Sequence, residues 1–208
     1  MTLYVNIHPE TPQPRLLSQA ADIIRNGGIA VIPTDSSYAL ACHLGDKEAL
    51  DRIREIRQMD ERHHLTLMCR DLSEIAHYAR VDNAQYRLLK AVTPGCYVFI
   101  LEGTKELPRR VMHPKRKTIG LRVPDNVVVL GLLEELQEPL LTTSLVLPGE
   151  EEPMTEGWEI RDRLDEQVDL IIDAGYCGTE PTTVIDLTEK TPVLVRAGKG
   201  SLDPFGFA

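Results

Sequence analysis

The sequence has little of what marks a secreted, membrane-spanning or redox-active chain. Its four cysteines, Cys42, Cys69, Cys96 and Cys177, are widely separated. None forms a CxxC pair or a Cys/His cluster at zinc spacing, so a disulfide framework and a zinc fold are set aside and buried, reduced thiols are expected. The longest apolar run, VVVLGLL at 127–133, is far too short to cross a bilayer. The opening MTLYVNIHPE has no basic segment leading into an apolar one, so no secretory signal is visible and a cytoplasmic location is expected. There is no Walker A loop, no GxGxxG after the first strand, no HExxH and no GxSxG elbow. No repeat or low-complexity segment appears. Chemistry on such a chain must lie in loops at strand ends.

What is present fits one globular domain over residues 1–208, with 42% apolar and 26% charged residues. The net charge of −9 argues against coating nucleic acid with the whole surface. It leaves room for a local basic groove, because screening confines each charge to roughly 8–10 Å at physiological salt.

The pattern alternates strands and helices. LYVNI (3–7) reads as a strand, QPRLLSQAADIIRNGG (13–28) as a helix closed by its glycine pair, and GIAVIPT (28–34) as a buried strand, which suggests a strand–helix–strand unit. DKEALDRIREIRQ, DLSEIAHYA and DNAQYRLLKAV each open on an Asp cap and read as helices, as does VVVLGLLEELQ. LTLMC (65–69), CYVFIL (96–101), TIGLRV (118–123) and PLLTTSLV (139–146) read as strands. A helix near 156–164 and the strands VDLIID, TTVIDL and PVLVRAG follow. This predicts an α/β fold with a large, partly antiparallel sheet and helices on its faces. LPGEEEPMTEG (147–157) is a long polar loop, either a lid or a plain surface loop.

Four loops could carry chemistry. PTDSSYAL (33–40) sets the hydroxyls of Thr34, Ser36, Ser37 and Tyr38 beside Asp35, which suits a small polar ligand or an ordinary hydrogen-bonded turn. REIRQMDERHH (54–64) places Arg57 at a helix end, where a cation serves the helix dipole or a phosphate; His63 and His64 are adjacent, poor geometry for one metal. RRVMHPKRKTIGLRVP (109–124) holds six cations and no acid, and strand alternation puts Thr118, Gly120 and Arg122 on one face. Its cations serve either edge protection or a polyanion. LTTSLV with EPTTVIDL…PVLVRAGKG adds hydroxyls at strand ends and Arg196.

In this order, GGIAVIPTDSSYAL, TPGCYVFIL, PKRKTIGLRVPDN, TTSLV and PTTVIDLTEKTPVLVRAG resemble successive blocks of the YrdC/YciO family, over about residues 14–200. The resemblance implies a twisted, open, mixed α/β sheet with helices on its faces and a concave basic surface. It implies binding of double-stranded RNA or tRNA and of adenine nucleotide. Catalytic members are threonylcarbamoyl-AMP synthases, which use L-threonine, bicarbonate and ATP toward threonylcarbamoyladenosine in tRNA. On the matching positions, Thr34, Tyr38, Arg122, Ser144 and Thr182 would face the substrate. Arg57, Thr118 and Arg196 would face the nucleotide. Lys115, Arg116 and Lys117, with Arg109, Arg110 and Arg62, would form the RNA rim. Mg-ATP would enter as a substrate, with no tightly bound cofactor and no protein metal site.

Three family motifs are altered. A K-x-R motif reads Arg57–Gln58–Met59, an S-x-N motif Ser144–Leu145–Val146, and a Pro-x-Thr motif Cys96–Tyr97–Val98. Losing one preorganised donor typically removes about 2.7–4 kcal/mol of transition-state stabilisation. The resemblance therefore implies an inherited fold with weakened or altered catalysis, and a working synthase as the alternative.

Overall fold

A computed structural model describes residues 1–60 and 63–207. Ten strands form one mixed sheet. In chain order they are β1 (Leu3–Asn6), β2 (Ala30–Ile32), β3 (Ala39–His43), β4 (Thr66–Met68), β5 (Tyr97–Glu102), β6 (Thr118–Arg122), β7 (Leu140–Ser144), β8 (Leu170–Asp173), β9 (Thr183–Asp186) and β10 (Val193–Arg196). Across the sheet they run β1-β8-β2-β3-β7-β4-β6-β5-β9-β10. The helices are α1 (Pro14–Arg25), α2 (Lys47–Arg57), α3 (Leu72–Tyr78), α4 (Asn83–Val92), α5 (Val127–Leu136) and α6 (Gly157–Leu164). None is long and apolar enough to cross a membrane among the described residues.

Local chemistry explains where helices begin. The Asp46 side chain accepts from the Ala49 N–H at 2.9 Å, and Asp71 does the same for Glu74. Asp82 and Gln85 complete a reciprocal capping box at α4. Asn126, not singled out in the sequence, caps α5 through Val129 N–H at 3.1 Å.

The strand–helix–strand unit at the N-terminus is present but not closed on itself. β1 and β2 both pair in parallel with β8, which lies between them. A further difference is β3, since PTDSSYAL reads in the sequence as a loop throughout. Its last two residues, Ala39 and Leu40, begin a strand antiparallel to both β2 and β7.

Alternation along the strands separates two cores. Val31, Leu40, Leu67, Phe99, Leu121 and Leu141 point to one face, where α2, α3, α4 and α6 pack. Ala30, Ile32, Ala41, Met68, Leu140 and Ile172 point to the other, under α1 and α5. The second cluster stops at Met68 on β4. No residue of β6, β5, β9 or β10 belongs to it, so that part of the face carries no helix among the described residues.

Candidate functional site

Part of the expected site, Thr118 and Arg122, lies on the helix-free part of the sheet face. On β6, Ile119 and Leu121 enter the first core, leaving Thr118, Gly120 and Arg122 on the open face, as the alternation predicts. Phe99 pairs with Leu121, which sets Val98 of β5 beside Arg122. A Cβ at Gly120 would lie 2.8 Å from Val98 Cγ1, so the glycine leaves room for the valine.

Arg122 is only 5% exposed although it lies on the open face. Its guanidinium pairs through Nη2 with Asp35 Oδ1 and donates through Nη1 to Ser36 Oγ at 3.3 Å. Its Nε is buried and finds no partner among the described residues. Asp35 is held from three further directions. Its Oδ2 accepts the Asp125 N–H at 2.9 Å, and its backbone carbonyl accepts Lys199 Nζ at 2.6 Å and Cys96 Sγ at 3.2 Å. Burial pushes the Cys96 thiol up to about 12, with the Asp35 charge adding to the rise.

The 33–37 loop is shaped by Thr34. Its Oγ1 accepts the Ser36 and Ser37 N–H groups, both at 3.1 Å, and donates to the Ser37 carbonyl at 2.6 Å. Its hydroxyl thus closes the turn, with Ser36 Oγ 3.0 Å away. Tyr38, expected beside the substrate, lies instead in the first core with no exposed surface. Its hydroxyl donates to the Gly175 carbonyl at 2.6 Å, so the side chain anchors the loop from behind, and burial drives its pKa up. The Cys177 thiol meets the Thr34 carbonyl at 3.9 Å from the same side.

Two further arginines pair with residues of the hydroxyl-bearing strands. Arg57 Nη1 donates to the Ser144 carbonyl and approaches Thr143 Oγ1 at 3.4 Å. Its Nε is buried without a partner among the described residues, and desolvation lowers its pKa. Arg196 donates from Nε and Nη2 to the Thr182 carbonyl, at 3.0 and 2.9 Å, and from Nη2 to Thr182 Oγ1 at 2.9 Å. The altered motif positions carry weak or no polar capacity here. Met59 Sδ accepts only a 3.8 Å contact from Thr143, and Val146 and Val98 offer aliphatic surface.

The basic stretch is divided. Lys115, Arg116 and Lys117 are exposed on a turn organised by His113, whose Nδ1 accepts the Lys115 and Arg116 N–H groups at 3.2 and 3.1 Å. The ring of His64 stacks on His113 at 5.8 Å. Arg109 and Arg110 sit on a separate 3₁₀ turn, Arg109–Val111, which buries Val111 and neighbouring Leu107 in the first core. Arg110 is spent on the Gly45 carbonyl at 2.9 Å, beyond β3. These two residues therefore do not share the Lys115–Lys117 turn. Arg62 lies outside the described residues.

Neither Lys199 nor the anchoring role of Asp35 is legible in the sequence. Separation is the reason: Lys199 meets Asp35 across 164 positions, and a lone lysine after a strand carries no local signal. A groove of about 920 Å³ lies elsewhere, between Arg15 and Asp22 of α1, Arg52 and Asp169, and touches none of these residues. Among the described residues no group of three or more His, Cys, Asp or Glu side chains is placed to hold a metal ion.

Comparison with known proteins gives this geometry a setting. The Sua5/YciO/YrdC family model, described as telomere recombination, matches residues 22–198. A Haemophilus influenzae protein is 59% identical over 206 residues, covering 99% of this chain and all of its own length. The YciO protein of Escherichia coli is 57% identical over 205 residues, at 99% and 100% coverage. The E. coli YciO crystal structure superposes with a TM-score of 0.94 over 99% of this chain and 100% of that one. More distantly, a threonylcarbamoyl-AMP synthase of Pyrococcus abyssi is 28% identical over 201 residues, covering 95% of this chain and 58% of that protein. The structure of P. abyssi Sua5 complexed with L-threonine matches with a TM-score of 0.87 at 26% identity, over 95% of this chain and 58% of that one.

Proposed function

The chain belongs to the Sua5/YciO/YrdC family, and on that footing we propose that it binds RNA and an adenine nucleotide, with the adenylate-forming step of its distant relatives weakened. The observation that carries the small-molecule half is Arg122, a buried cation on a sheet face that no described helix covers. A guanidinium is taken out of water only where partners are built for it, and here Asp35 and Ser36 supply them. Thr118 precedes it on the same face, and Arg57 with Ser144 and Arg196 with Thr182 add fixed cations and hydroxyls. The RNA half rests on Lys115, Arg116 and Lys117. All three are exposed, and none makes an ion pair among the described residues.

Calorimetric titration tests the first half: wild type binds ATP and L-threonine, Arg57→Ala loses ATP and Arg122→Ala loses L-threonine. Wild-type affinity in both variants would overturn it. For the second, Lys115, Arg116 and Lys117 are replaced together by Ala. The slope of log K for RNA against log salt then falls by about 0.7–0.9 for each phosphate that is no longer neutralised. An unchanged affinity and slope would sink that half.

A second reading, a working threonylcarbamoyl-AMP synthase, is favoured by the retained Thr34, Arg122, Ser144 and Arg196. In that reaction the threonine amine adds to bicarbonate carbon with loss of water, giving a carbamate. A carbamate oxygen then attacks the α-phosphorus of ATP as the bond to pyrophosphate breaks. Arg122 would neutralise the carboxylate and Arg57 the phosphates. Pyrophosphate release that requires L-threonine, bicarbonate and ATP together, and is abolished in Arg122→Ala, supports it. Absence of any product at high enzyme concentration removes it.

A further inference from the structure

Around Asp35 the charges do not balance. Its one carboxylate faces the Arg122 guanidinium, while Lys199 is bound only by the Asp35 backbone carbonyl, which cancels no charge. Lys199 makes no ion pair among the described residues, and it is exposed where Arg122 is buried. An incoming oxyanion would therefore meet the ammonium first. Of its three N–H donors, one is used on Asp35.

The backbone that carries Lys199 is pinned on both sides. The Gly198 N–H donates to Thr183 Oγ1 at 3.0 Å, and a Cβ on Gly198 would overlap the Pro181 carbonyl oxygen. Lys199 N–H donates to that same Pro181 carbonyl at 2.8 Å. Thr183 Oγ1 donates in turn to the Gly200 carbonyl at 2.7 Å, and a Cβ on Gly200 would lie 2.5 Å from the Tyr97 ring. Two glycines thus let the turn close on β9 and β5, and the close fit fixes the root of a side chain that would otherwise sweep widely.

We propose that Lys199 is a ligand-binding residue of the cleft, the place where the 33–37 loop and the 198–200 turn meet beside Arg122, and that with Arg122 it takes an oxyanion of the small-molecule substrate, the amino-acid carboxylate or a nucleotide phosphate. The assignment rests on the small-molecule binding proposed above, and it adds a cation that the altered K-x-R motif does not supply.

The test uses the full chain as wild type, Lys199→Met and Lys199→Arg, titrated separately with L-threonine, L-threoninol and ATP. Lys199→Met is expected to weaken one of the two oxyanion ligands about tenfold, with Lys199→Arg recovering most of the loss. A loss seen with L-threonine but not with L-threoninol, which lacks the carboxylate, assigns the amino-acid carboxylate. A loss confined to ATP assigns the phosphate. The melting temperature should not move, since the side chain is exposed. Wild-type affinity of Lys199→Met for both oxyanions would overturn the Lys199 assignment and leave the cleft standing. Wild-type protein that binds neither would overturn both.

Discussion

The part of the sheet face under α1 and α5 and the part that runs from β6 to β10 share one alternation but carry opposite contents. Under the helices stand Ala30, Ile32, Ala41, Leu140 and Ile172, small or aliphatic and fully or nearly fully buried. On the open part stand Thr118, Gly120, Arg122, Val98 and Val184, with Arg196 paired beside Val184. The difference shows how one sheet divides its labour. Helix cover stabilises the first part by removing apolar area from water, about 25 cal/mol per Å². The second part leaves its strands uncovered and holds buried polar groups by ion pair and hydrogen bond instead.

The sharpest way to break this comparison is at Arg122. Replacing it with Ala leaves the Asp35 carboxylate, whose side chain is 8% exposed, without its ion-pair partner. Urea denaturation should show a loss of about 3–5 kcal/mol. The double variant Arg122→Met with Asp35→Leu should recover much of that stability while still failing to bind L-threonine. Recovery of binding would mean that the open face is structural after all.

Next in size is Leu132→Ala on α5, fully buried in the second core. A cavity there should cost about 2–5 kcal/mol by the same measurement. Ligand affinity should be unchanged, because no cleft residue packs on that cluster. Val146→Asn tests the converse, returning an amide to the loop just past Ser144. Pyrophosphate release should rise, with about 10²–10³ as the ceiling for one donor. No rise would place the deficit elsewhere, at Met59 or Val98. The smallest expected effect concerns the thiols. Burial pushes Cys42 and Cys96 up to about 12 and Cys177 up to about 11. At pH 8 each is below its pKa and almost wholly protonated, so iodoacetamide should label the folded protein hardly at all and the unfolded protein promptly.

Features set by neighbours in the chain were legible in the sequence. The Asp46, Asp71 and Asp82 caps, the one-face placement of Thr118 and Arg122, and the mixed sheet all follow from spacing and side-chain chemistry. The motif order brought out the resemblance to the family. Features set by distant neighbours were not legible. Tyr38 reads as one more hydroxyl in a polar loop until Gly175 appears behind it. Arg110 reads as part of a basic run until Leu107 and Val111 draw its turn into the first core. Lys199 has meaning only beside Asp35.

The position of β8 bears on how the molecule is made. β1 and β2 are synthesised first, yet each must wait for Leu170–Asp173 before its parallel ladder can form. At the other end of the sheet, β5 waits for Thr183–Asp186. Pairings between such remote segments close long loops, and folding slows as these contacts dominate. A chain halted on the ribosome before residue 170 would hold caps, helices and hairpins but no completed sheet, with the apolar strands β1 and β2 exposed to chaperones and to one another.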